Sequence, residues 1–452
     1  MTPRPAHPQT RRRNDAWFRP LSTETDSAAM TRTVGVALLA LAAGVVMLPL
    51  MATKGRAEGN TPRYTVLYSF TGGTDGRYPT AGLIEDDAGD LYGTTSSGGY
   101  TGSSCPYFLG CGVVFKLDSA GHETVLYTFT GGADGGSPAA GLIRDAGNLY
   151  GTTATGGNTS ISCILNSGCG VVFKVDPVGN ERVLYTFTGG ADGAFPEAGL
   201  IRDTVGNLYG TAYSGGAHGW GVVFKLDPTG KETVLYNFTG GADGGGPNAG
   251  LIRDAAGNLY STTLGGGNTS KSCFAGYGCG VVFKLDLAGN ETVLYTFTGG
   301  ADGGSPWAGL VRDAAGNLYG TTITGGTKGN SCLYGDGCGV VFKLDSAGNQ
   351  TVLHSFSGGA DGGNPLAGLT LDTSGRLGGT TEYGGTHGGG VAFELGEKGN
   401  ETVLHEFCSR PNCVDGDSPV AGLLRDRAGN FYGTTSYNGA YVAGVVFKLS
   451  LH

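Results

Sequence analysis

Val66-Leu-Tyr-Ser-Phe70 is the first of seven copies of one phrase. It returns as Val-Leu-Tyr-x-Phe ending at Phe129, Phe187, Phe238 and Phe297, then as Val-Leu-His-x-Phe ending at Phe356 and Phe407, always 51 to 59 residues after the copy before. A period of this length marks a repeat architecture whose units cannot bury their apolar faces alone. Ala249-Gly-Leu-Ile-Arg-Asp254 reads as a short strand, Asn258-Leu-Tyr-Ser-Thr-Thr263 as a second, Gly280-Val-Val-Phe-Lys-Leu-Asp286 as a third and Glu291-Thr-Val-Leu-Tyr-Thr-Phe297 as a fourth. Gly-Asn turns link the first to the second and the third to the fourth, while a glycine-rich loop joins the middle pair. Four antiparallel strands in such a period make one blade of a propeller.

The chain ends supply a separate argument. Residues 64–70 are a fourth strand with no blade before them, and residues 421–449 hold three strands with no fourth after them. Pairing the two removes the exposed edges of an open array. The expected fold is therefore an all-β, seven-bladed β-propeller of four-stranded antiparallel blades, closed by the N-terminal strand on the last blade. An eight-bladed count and an open β-array are the alternatives. Glycine in the second strand, at Gly93, Gly151, Gly210, Gly320 and Gly433, is expected to let backbones crowd near the axis.

Composition agrees with this class: 88 of 452 residues are glycine and only 15% are charged, a turn-dense β profile. Residues 1–57 differ in kind. Arg11, Arg12 and Arg13 precede a polar stretch, and Val34 to Ala52 run without a charge. They read as an export signal with cleavage near Ala57, or as an uncleaved N-terminal membrane anchor, and Met30 is a candidate true start. Residues 58–452 are then the propeller. Without the eight Lys/Arg and three Asp/Glu of residues 1–57, the formal charge moves from −9 to −14. Such a balance repels phosphate backbones and anionic lipid, which argues against nucleic-acid and membrane-surface binding. A monomer is expected.

Ten cysteines fall in near pairs: Cys105/Cys111, Cys163/Cys169, Cys273/Cys279, Cys332/Cys338 and Cys408/Cys413. Zinc needs about four converging ligands, and each loop offers two thiolates, so five local disulfides in an oxidising compartment are expected.

The recurring Ala-Gly-Leu-Ile-Arg-Asp, Gly-Asn-Leu-Tyr-Gly-Thr-Thr and Gly-Val-Val-Phe-Lys-Leu-Asp resemble the GloVer tandem repeat of bacterial extracellular repeat proteins, across residues 64–449. The resemblance implies export and a propeller-like repeat domain, and it implies no established activity or ligand. The chain stops at Lys448-Leu-Ser-Leu-His452, so the C-terminal sorting signal frequent in that family is not expected. A more distant likeness is to the NHL type of propeller.

One face of such a ring carries short, alike turns. The other gathers the cysteine loops and a Thr-Gly-Gly-Ala-Asp-Gly-Gly-x-Pro segment, and binding is expected there. The segment's aspartates, Asp75, Asp134, Asp192, Asp243, Asp302, Asp361 and Asp415, offer hard oxygens that could hold calcium, or serve as turn residues that accept backbone N–H bonds. Positions beside the proline refuse to repeat. Tyr78 and Phe195 stand before it, and Glu197, Asn248 and Trp307 follow it on consecutive units. A carboxylate, an amide and a stacking ring side by side suit a sugar-binding cleft, whereas neutral drift at exposed loop positions would leave the same pattern. His218 and His387 occupy matching places in two short loops and read as surface residues. Glu197 and Glu382 are non-repeated carboxylates that nothing in the sequence brings together, and no catalytic residue is identifiable. The leading expectation is a binding module for a glycan or surface protein, not an enzyme; a polysaccharide hydrolase or lyase and a passive envelope protein are the alternatives.

Overall fold

A computed structural model describes residues 62–451 except 103, 106–108, 159–162, 164–166, 270–272, 274–276, 329–331 and 333–334. The chain divides into Met1–Arg56 and Ala57–His452. The expected export signal or anchor and the Met30 start lie outside the described residues.

The second unit is an all-β propeller of seven four-stranded antiparallel sheets. Blade one is Ile84–Glu85, Leu91–Thr95, Val113–Leu117 and Glu123–Thr128, in that order from the axis outward. Blades two to six repeat it, and in blade seven Leu424–Arg425, Phe431–Thr435 and Val445–Ser450 are completed by Arg63–Ser69 from the other end of the chain. The closing pair runs Tyr64↔Leu449 to Ser69↔Val445 with a register shift between Val66 and Tyr68, the irregularity that the covalently continuous blades show at the same place. The alternating pattern of the phrase therefore takes one geometry whether its partner lies next in sequence or some 380 residues away.

Blades adhere through phenylalanine. The phrase-final Phe of each blade meets the third-strand Phe of the next: Phe129 on Phe173, Phe187 on Phe224, Phe238 on Phe283 and Phe297 on Phe342, with Phe70 on Phe115 across the closure, are edge to face with centroids 5.0–5.1 Å apart, and Phe356 on Phe393 is tilted at 5.3 Å. Each of these rings is fully buried. Nearer the axis, the second-strand threonine of every blade donates to an alanine carbonyl of its neighbour at 3.0–3.3 Å, from Thr94 to Ala140 around to Thr434 on Ala81.

The second-strand glycines have a different role from the one expected. A Cβ on Gly93 would stand 2.7 Å from the Phe115 ring and 2.9 Å from Leu83, so these positions receive the third-strand ring of their own blade. The backbones that crowd the axis belong to the first strands. There Gly82, Gly141, Gly199, Gly250, Gly309, Gly368 and Gly422 form a ring in which a Cβ would come within 3.1–3.6 Å of the neighbour's carbonyl oxygen. Phe70→Ala and Phe297→Ala should each destabilise the propeller by about 3–5 kcal/mol, the usual cost of truncating a buried ring. Equal losses in urea unfolding would show the closing strand to be as firmly packed as a covalent one, and a much smaller loss for Phe70→Ala would show a loose seam.

Candidate functional site

The two faces are built by different rules. On the turn face most copies use one device, as in Asp286, which accepts the backbone N–H groups of Ala288 and Asn290 and the Asn290 side-chain amide; Gly396 and the tighter Asp145 turn depart from it. On the loop face the aspartates of the Thr-Gly-Gly-Ala-Asp segment form a second device. Asp192 accepts the Thr188 N–H at 2.7 Å, the Thr188 hydroxyl at 2.5 Å and the Tyr185 hydroxyl at 3.0 Å. Asp75, Asp134, Asp243 and Asp302 repeat that triple bond set. Asp361 bonds Ser357 with His354 alongside, and Asp415 bonds Ser409 with His405 alongside. Burial alone would raise Asp415, but bonds from His405, Ser409 and Arg410 pull it down to about 2. Each carboxylate is thus held by its own turn, and calcium would have to displace those donors. Among the described residues no three His, Cys, Asp or Glu side chains converge as a metal site requires.

A second carboxylate sits beside most of these turns. Glu123, Glu181, Glu232, Glu291 and Glu401 open the fourth strands, and burial, reinforced by the charge of Asp75, Asp134, Asp192, Asp243 and Asp361 respectively, pushes each up to about 7. The two places where another residue opens the strand explain what the site wants. Gln350 donates to the Asp302 carbonyl at 3.2 Å and Tyr64 donates to the Asp415 carbonyl at 2.6 Å. A protonated glutamate can do the same, and one oxygen of each of the five is buried without a partner.

The cysteines pair as expected, Cys105–Cys111, Cys163–Cys169, Cys273–Cys279, Cys332–Cys338 and Cys408–Cys413. The cystines lie over the Thr-Gly-Gly turns: a Cβ on Gly189 would strike both Cys163 and Cys169, and one on Gly299 would strike Cys273. Blade three has a short loop and no cystine, and Trp220 covers the corresponding Gly240 instead. That substitution of an indole for a disulfide is invisible in the cysteine count.

At the axis the non-repeating residues do meet. The Asn248 amide, oriented so that each end faces a complementary group, donates to Glu197 at 2.9 Å and accepts from the Trp307 indole N–H at 3.1 Å. Three successive blades are joined by this chain. Burial raises the Glu197 carboxyl to about 7, while part of the residue stays accessible. Trp307 also packs against an apolar plug of Leu264, Ile323 and Leu366. Phe195 is placed otherwise than a lining residue, buried in the blade-three core with Leu200, Val222 and Phe224. Tyr78 lies across the ring, its centroid 5.0 Å from that of Tyr437. Both belong to a row that sequence reasoning missed as a strained one: every residue before the loop-face proline has positive φ, including Tyr78 at 58°, Phe195 at 57° and Ser305 at 53°, values non-glycine residues adopt only at a cost. A further ring of non-repeating residues stands at the ends of the second strands, where Tyr213, Leu264 and Ile323 line the same end as Glu382; only Glu382 stands out in the sequence, as a carboxylate.

The architecture is that of a disulfide-stapled seven-bladed propeller with one uniform and one diverged face. The chain belongs to the family of the Gloeobacter/Verrucomicrobia repeat, which matches residues 55–165, 160–335 and 269–452. Among curated proteins none matches. Among solved structures it is similar to the extracellular domain of a protein described as a one-component system of B. thetaiotaomicron (10% identity, TM-score 0.49), covering 85% of this chain and 39% of that one. It is also similar to a gluconolactonase of Xanthomonas campestris (11% identity, TM-score 0.40), covering 86% and 90% respectively. The chain thus spans well under half of the first of these, and at such distances neither likeness carries a functional argument.

Two outcomes follow. Asp243→Ala should cost about 1 kcal/mol, the scale of losing the hydrogen bonds of a half-buried carboxylate, by the same amount in calcium and in chelator; a loss seen only in calcium would make the aspartates metal ligands. The five glutamates carry pKa values near 7 when folded against an ordinary 4.5, so their contribution is full below 4.5 and is lost as pH rises toward 7. The turn aspartates work oppositely: hydrogen bonds from Asn290 and Asn349 hold Asp286 and Asp345 below 3.8, a contribution lost as pH falls through that range. The melting temperature should peak in mild acid, and Glu291→Gln, a copy of Gln350, should flatten its decline toward pH 8.

Proposed function

We propose that this chain is an exported binding module that takes a glycan or surface-protein ligand on its loop face, in an extracellular, periplasmic or cell-surface setting. The observation that supports it is the hydrogen-bonded Glu197–Asn248–Trp307 chain, polar and non-repeating at the axis of an otherwise repetitive ring. Sevenfold reuse of the other side chains serves the fold, so chemistry is sought where reuse stops. Five disulfides suit an oxidising compartment. Among the described residues no helix is long and apolar enough to cross a membrane, and an anchor, if used, would be the N-terminal segment. A monomer without nucleic-acid partners remains the reading of the closed ring and the acidic balance.

The polysaccharide hydrolase or lyase alternative has one observation in its favour. Glu197 and Glu382 are both raised to about 7 by burial, a value suited to general acid catalysis near neutral pH. Release of reducing ends from a polymer would favour that reading. Binding without turnover on a broad glycan array, weakened about tenfold or more by Trp307→Ala and by Glu197→Gln, is the expected result. Array signals unchanged in both variants would remove the axial chain from ligand contact.

A further inference from the structure

A second group of departures from the repeat lies away from the Glu197–Asn248–Trp307 chain. Where Arg77-Tyr78 stand, other units have Gly136-Ser137, Gly245-Gly246 and Gly304-Ser305; where Glu382-Tyr383 and Ser436-Tyr437 stand, others have Ala154-Thr155, Leu264-Gly265 and Ile323-Thr324. Asp417 on blade seven takes the place that Arg77 has on blade one. Blades six and seven follow one another in the chain, but blade one joins them only because the ring closes, and closure brings together residues some 360 positions apart.

There these side chains form one patch. Tyr78 and Tyr437 meet at 5.0 Å with planes 57° apart, and the Arg77 guanidinium lies 4.4 Å above the Tyr78 ring. Asp417 and Tyr437 pair through their backbones, and Ser418 and Asn438 hold the Asp417 carboxylate at 2.8 and 3.0 Å. Tyr437 is 43% exposed, so an aromatic ring is offered to solvent beside two carboxyl groups and a guanidinium. Four buried polar atoms in this sector lack a protein partner: Arg77 Nε, Thr80 Oγ1, Glu382 Oε2 and Ser436 Oγ, the last on a residue only 3% exposed. Unpaired buried donors and acceptors are costly, and here they stand in a group that mixes both kinds.

We propose that the seam of blades six, seven and one is a saccharide subsite, which stacks a neutral hexose or hexosamine unit on Tyr437 and bonds its hydroxyls through Glu382, Asp417 and Arg77. The chemistry selects that class. A pyranose offers a C–H face to an aromatic ring and a rim of hydroxyls, each a donor and an acceptor, which matches a mixed set of carboxyl, hydroxyl and guanidinium groups. Two carboxyl groups against one guanidinium disfavour uronates and phosphates. The proposal rests on the loop face being the binding face and adds the subsite and the ligand class.

The test is calorimetric titration of the exported, oxidised protein with cellohexaose, xylohexaose, chitohexaose, mannohexaose and oligogalacturonate. Binding of at least one neutral oligosaccharide is expected, with none of the galacturonate. Tyr437→Ala and Glu382→Gln should each weaken it about tenfold, the scale of one lost stacking or charged contact, while Leu287→Ala on the turn face should match the parent. Tyr437 is half-exposed, so its variant is expected to melt like the parent. Parental affinity in both seam variants overturns the subsite; a loss confined to Trp307→Ala would then leave the loop-face reading standing on the axial chain. No binding of any neutral sugar overturns the saccharide assignment, and binding only of galacturonate overturns the ligand class.

Discussion

Everything in this propeller depends on Phe meeting Phe between blades. A four-stranded sheet of this size cannot cover both of its faces, and each blade borrows its neighbour: Phe297 is buried by blade five as much as Phe342 is buried by blade four. The arrangement ends only if the last blade finds the first. Phe70 on Phe115 is that closure, made by a strand that enters blade seven from the opposite end of the chain. Burial of apolar surface drives it, and the Thr434 bond to Ala81 adds the same threonine link that every other interface uses.

A structure held by sevenfold repetition places tight limits on its repeated residues. The first-strand glycines bring neighbouring backbones into contact at the axis, most tightly at Gly309 and Gly422, the loop-face aspartates are occupied by their own turns, and the cystines or Trp220 sit on the glycines beneath them. What is left free to vary is the mouth of the axis, where neither packing nor turn chemistry dictates the side chain. The Glu197–Asn248–Trp307 chain and the seam tyrosines both fall there, on different sectors of one rim.

The same repetition multiplies small electrostatic terms. One half-buried glutamate beside an aspartate is a minor strain, since solvent screens it. Five of them, opposed by turn aspartates whose carboxylates are favoured by hydrogen bonds, give the whole ring a common response to pH. Gln350 and Tyr64 show that the site accepts a neutral donor without change of backbone.

The architecture was legible because it lives in periodic features. The 51–59-residue period, the four strand patterns per unit, the cysteine pairs and the complementary chain ends all express local constraints that copy with the sequence. Reading glycine was harder: Gly93 and Gly82 look alike as letters, yet one makes room for a ring and the other for a backbone, a distinction of three-dimensional neighbours. The site divides in the same way. Adjacent units put Glu197, Asn248 and Trp307 side by side on paper, and they do touch. Arg77 and Tyr437 share no sequence neighbourhood, and no spacing joins them. The repeat alone determined the blades, their number and the face that diverges, because strand pattern and turn chemistry act over a few residues. Which diverged residues meet was decided only by the closing strand, because contact across the seam depends on the ring shutting.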